Sequence, residues 1–148
     1  YILPSLVLDV ANINVQKDVN FEAYVSAQSV VDLATVGAKV KFDTTKLSVV
    51  DITRIDDFME SNSGTIFPLK FSKDNAEGKV DIQLAIFPAT GAVSGNGRIC
   101  KIKFLPKATG STEISLSTDS ASDSNLGLFD KTATPINSIS FGSKIEIN

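Results

Sequence analysis

Asp119, Asp123, Asn125 and Asp130 stand within one polar stretch, and Asp56, Asp57 and Glu60 within another. These are the side chains whose type and spacing could do chemistry. Oxygen donors of the first group suit a calcium ion. Their spacing, however, lacks the glycine after alternating acids that marks a helix–loop–helix calcium site. Asp and Asn in such a stretch serve as turn caps. The second group could be imagined as the acid pair of a glycoside hydrolase, which needs two carboxyls across a cleft. Here they run into Ser61-Asn62-Ser63-Gly64, and adjacent acids in a Ser/Asn/Gly stretch read as a solvated loop. The sequence has no histidine and one cysteine, Cys100. Ser–His and Cys–His nucleophile arrangements are therefore impossible within it, as is an internal disulfide. The expectation is a protein that is not an enzyme, with no metal site and no cofactor.

Composition narrows the class further. At 148 residues the chain is expected to form a single domain, 1–148, with a real core. Its apolar content of 43% and charged content of 21% are ordinary for a globular protein. The net charge of −3 comes without a basic stripe, so nucleic acid is not an expected partner. No apolar run approaches the roughly 20 residues of a membrane span. The sequence opens on Tyr1 and reads as a mature or excised piece.

The elements that must position any site are strands. Val36, Ala38, Val40 and Phe42 alternate with Gly37, Lys39 and Lys41, the period of a half-buried strand. Asp43-Thr44-Thr45 then turns the chain, and Leu47, Val49 and Val50 resume the apolar run, with Phe42 and Leu47 in the core. Similar runs cover 6–10, 19–26 (Val19, Phe21, Ala23 and Val25 inward), 65–71, 79–86, 99–104, 112–117 and 139–147. In 65–71, Pro68 places the strand at or near a sheet edge. In 99–104, Cys100, Ile102 and Phe104 point inward. Residues 28–35 suggest an ordered bulge or a short helical turn, and 118–135 is the longest irregular stretch. About nine short strands joined by turns predict an all-β, nine-stranded antiparallel β-sandwich with jelly-roll topology.

Several stretches, in this order, carry a family resemblance. They are Val36-Gly37-Ala38-Lys39-Val40-Lys41-Phe42-Asp43 with Leu47 beyond; Gly78-Lys79-Val80-Asp81-Ile82-Gln83-Leu84-Ala85; 93–104; and 136–147. The chain resembles a cohesin module over nearly its whole length, within a superfamily that also holds carbohydrate-binding sandwiches. Counting the predicted strands in order, the resemblance implies sheets 5-6-3-8 and 4-7-2-1-9. It further implies a dockerin-like partner, carrying its own calcium, docked on the 5-6-3-8 face in an extracellular or cell-surface assembly linked to polysaccharide degradation or surface attachment. Many cellulosomal cohesins place Asn and Asp on the outer face of strand three. Thr35 and Gly37 stand there in this chain, which points to a divergent or non-cellulosomal member.

The expected partner-binding residues are Thr35, Gly37, Lys39, Asp81, Gln83, Ala85 and Phe87. Gly37 and Ala85 would leave a flat patch between them. A carbohydrate-binding module is the alternative, with Tyr24 and Phe87 as its outward aromatics. A structural spacer of a surface protein is the third reading.

Overall fold

Alternation dominates the chain, and the computed structural model, which describes residues 3–121 and 123–148, is built from strands. In chain order these are β1 (Ser5–Val10), β2 (Asn14–Val15), β3 (Phe21–Lys41), β4 (Leu47–Arg54), β5 (Thr65–Asp74), β6 (Lys79–Phe87), β7 (Val93–Pro106), β8 (Gly110–Ser117), β9 (Gly127–Asp130), β10 (Ile139–Phe141) and β11 (Ser143–Ile147). A short 3-10 turn, Ala89–Gly91, sits between β6 and β7.

The two expected strands at 19–26 and 36–42 are halves of one 21-residue strand, β3. It bends where its register to β7 shifts, between Ala27 and Val30 and again between Val30 and Leu33. Ser29 and Asp32 take positive φ there, 55° and 52°, as bulged residues can. The bends let β3 serve both layers. Its first half pairs with β1 and β7, and its second half with β6, β8 and β9. One layer runs β4–β7–β3–β1–β10. The other runs β5–β6–β3, with β8 and β9 as two collinear pieces beyond. This is the β-sandwich expected, and the sheet orders follow those the resemblance implied except at the closing strand: only 139–141 lie beside β1, while β11 pairs with β8 at the edge of the other layer.

Three details differ from expectation. Eleven strands stand among the described residues: two of the expected nine fuse into β3, β2 and β9 form in stretches read as connections, and the closing strand divides at Gly142. The pairing is not wholly antiparallel: β10 runs parallel to β1, and β11 parallel to β2. Val19 is 54% exposed instead of inward, since the chain enters β3 only at Phe21.

The inward rows fill the space between the layers. Val36, Ala38, Val40, Val80, Ile82, Leu84, Cys100, Ile102 and Phe104 are all buried. Phe42 and Leu47 are buried as expected, and the Phe42 ring meets Phe104 edge-on at 5.5 Å between centroids. Between them, the Asp43 carboxylate accepts hydrogen bonds from the Thr45 N–H at 2.9 Å and the Thr45 hydroxyl at 2.6 Å. β5 pairs with β6, and among the described residues no second strand pairs with it, as Pro68 suggested.

Candidate functional site

Residues directly opposite in neighbouring strands point to the same face, so register assigns the outer surface of the β5–β6–β3 layer row by row. At one end Phe87 lies opposite Thr65. The next row is Phe67, Ala85, Thr35 and Phe129. Below it come Lys70, Gln83, Gly37 and Gly127, then Ser72, Asp81, Lys39 and Ser117. All seven expected partner-binding residues therefore share one face.

That face is not the flat patch expected. Ala85 and Gln83 are half-buried, but Gly37 is buried. A Cβ on Gly37 would collide with the Asn125 carbonyl oxygen and lie 3.1 Å from the Leu126 Cα. Gly37 is thus a seat for the chain's own backbone, and the low patch centred on it is corrected on that ground. Lys39 is also engaged from above: its Nζ stands 3.2 Å from Asp123 Oδ2. The Asn125 N–H, and after it the Lys39 ammonium, hold the Asp123 carboxyl below the usual carboxylate range. The pair therefore persists at neutral pH and is lost only as pH falls through that lowered value.

Asp81 is only 6% exposed. Its carboxylate lies 3.3 Å from Lys70 Nζ and 3.9 Å from Lys79 Nζ. A buried charge needs such partners, and here they come from the same face, so Asp81 serves the sheet itself.

The accessible part of the face lies at its other end. Phe87 is 74% exposed and Phe67 is 62% exposed, with Ala85 beside Phe67 in register. Register makes Phe67 and Phe87 diagonal neighbours across β5 and β6. Phe67 was not among the expected residues. A signal was available in Thr65-Ile66-Phe67: with Ile66 inward, as the structure has it, alternation turns Phe67 outward. The register shift between Pro68 and Lys70 hides that alternation over the strand as a whole.

The acidic stretches have local duties. Asp130 Oδ1 accepts from the Thr132 N–H at 2.8 Å and the Thr134 N–H at 3.0 Å. Glu60 accepts from the Ile66 N–H at 2.9 Å, and Asp56 pairs with Arg54 at 3.3 Å. No group of three or more metal-ligating side chains stands together among the described residues. On the opposite sheet, Tyr24 is half-buried beneath the Arg98 guanidinium, 3.9 Å from the ring centroid.

A cohesin-domain family model matches residues 6–147. The chain belongs to the cohesin family. Solved cohesins share its fold at low identity. A non-cellulosomal cohesin from the hyperthermophilic archaeon Archaeoglobus fulgidus superposes with a TM-score of 0.74 at 11% identity, covering 99% of this chain and 92% of that one. A type I cohesin–dockerin complex from Clostridium thermocellum gives 0.75 at 14% identity, covering 99% of both chains. The cohesin module of a Clostridium perfringens family 33 glycoside hydrolase gives 0.73 at 18% identity, covering 99% of this chain and 97% of that one. A search of curated proteins returned no match. In this cohesin domain no helix among the described residues is long and apolar enough to cross a membrane.

Proposed function

We propose that this cohesin domain, residues 1–148 acting as one module, is a non-catalytic receptor for a dockerin-like module. The partner carries its own calcium and docks on the outer face of β5, β6 and β3, with Phe67, Ala85 and Phe87 at the centre of contact. The observation that carries this reading is the pair of exposed rings on a sheet face. Single exposed apolar residues are common. Two phenylalanines flanking an alanine on a rigid sheet make an anchor of the kind that supplies most interface energy. The domain then helps to assemble an extracellular or cell-surface complex, with polysaccharide degradation or surface attachment as its context.

The same rings favour a second reading, a carbohydrate-binding module, because aromatic faces stack on sugar rings. One experiment separates the two. The domain is immobilised and offered calcium-loaded dockerin modules and, separately, insoluble glycans. Capture of a dockerin is expected, with Phe67→Ala and Phe87→Ala each weakening it by about 2 kcal/mol or more. Lys101→Ala, on the opposite sheet, is expected to leave capture unchanged. Retention of glycan and of no dockerin would overturn the proposal in favour of the second reading.

A further inference from the structure

β8 and β9 are two pieces of one strand beside β3. Ser117 lies opposite Lys39, and Gly127 lies opposite Gly37. A continuous strand would need a single residue between Ser117 and Gly127, opposite Ala38. The sequence instead has nine residues, 118–126, between them. The returning part, from Asp123 to Leu126, lies over the outer face of the sheet. The Asn125 carbonyl occupies the space above Gly37, Leu126 is 1% exposed, and Asp123 pairs with Lys39 at 3.2 Å. The loop is therefore held at two points on β3. It stands on the side of the face away from Phe67 and Phe87.

We propose that the 118–126 loop is a specificity filter for the docking face. Fastened by Asp123 on Lys39 and by Asn125 on Gly37, it blocks the β3 side of the sheet and confines docking to the β5–β6 side around Phe67, Ala85 and Phe87. A partner that needs a bare β3 surface meets backbone there, and backbone cannot rotate aside as a side chain can. Rejection by collision discriminates between partners as effectively as added attraction. Residues Lys39, Asp123 and Gly37 thus set specificity by holding the loop, while the two rings supply the contact. The inference rests on the reading of this face as the docking surface.

The test compares the intact domain with a variant lacking residues 118–125 and with Asp123→Ala. The deletion joins Ser117 to Leu126, which places Leu126 opposite Ala38 and keeps the strand in register. Each protein is panned against a displayed library of calcium-loaded dockerin modules, with the melting temperature as the check on folding. Modules captured by the intact domain are expected to bind at least about tenfold more weakly after Phe67→Ala or Phe87→Ala. The deletion variant is expected to capture further modules that the intact domain excludes, and Lys39→Glu in that background is expected to remove the newly admitted set alone. Asp123→Ala moves selection in the same direction, and it carries the comparison if the deletion does not fold.

Identical sets captured by all three proteins would overturn the filter while leaving the docking reading intact. So would loss on deletion of modules that tolerate Phe67→Ala and Phe87→Ala, since the loop would then be a contact surface. Capture by the deletion variant alone would also overturn the filter, since the loop would then close the face instead of confining docking to the side that carries the two rings. Capture of no dockerin by any of the three would overturn the docking reading first, and the filter with it.

Discussion

Cys100 is an inward residue of β7 with no exposure, and burial pushes its thiol up to about 12. Thiolate is the reactive species, so a thiol reagent at pH 8 is expected to label the native protein slowly and the denatured protein at once. Rapid native labelling would place β7 one residue out of register. Phe42 offers a second test of the same alternation. It is 7% exposed and packed edge-on against Phe104, whereas Lys41 beside it is exposed. Phe42→Ala is expected to cost about 3–5 kcal/mol, and Lys41→Ala less than about 0.5 kcal/mol, as measured by denaturant unfolding. Gly37 behaves differently from its outward parity. Because the Asn125 backbone rests on it, Gly37→Ala is expected to destabilise by about 1–3 kcal/mol, the cost of overpacking. Ala85→Arg has no such cover above it, and the expected outcome is an unchanged melting temperature with loss of dockerin capture.

At the scale of elements, turns and bulges decide which faces are presented. The corner between β3 and β4 is held by Asp43, whose carboxyl is kept below the usual range first by the Thr45 hydroxyl and then by the Thr45 N–H. A depressed carboxyl pKa contributes stability above its unfolded value and loses it as pH falls through the folded one. The melting temperature of Asp43→Ala is therefore expected to fall below wild type at pH 7. The gap should close as the buffer is taken below the carboxyl's lowered pKa. A gap that persists unchanged in strong acid would mean that the turn is held by something other than the ionised carboxylate. The bulge at Pro68–Lys70 in β5 has a different consequence. It keeps Phe67 outward while returning Phe71 toward the core, where it packs as a partly buried side chain.

For the molecule as a whole, closure depends on the last strand. β11 pairs with β8 on one side and β2 on the other, and buries Ile145 and Ile147. Losing a buried isoleucine costs about 2–5 kcal/mol, and a domain's total stability is about 5–15 kcal/mol. Removing residues 143–148 is thus expected to abolish the cooperative unfolding transition in calorimetry. A sharp transition within a few degrees of the intact protein would show that the two layers hold without it.

Much of this architecture is legible along the chain. Alternation marks both halves of β3 and the strands β6, β7 and β8 with their inward residues, because a buried face must be apolar wherever the strand sits; in β5 the shift at Pro68–Lys70 breaks it. The absence of histidine and the lone Cys100 exclude whole classes of chemistry without any coordinates. The order of strand motifs was enough for the cohesin resemblance that the family match confirms. What alternation cannot report is what lies above an outward residue. Gly37 and Ala85 carry the same local signal, yet one is sealed by Asn125 and the other is not, because Asn125 is far away in sequence and reaches Gly37 only after β8 and β9 have paired with β3. Nor can it show that Phe67 and Phe87 adjoin, since their proximity depends on the register between β5 and β6. Inward faces are set by each strand's own residues; the outer face is set by contacts between strands, and those exist only in the folded protein.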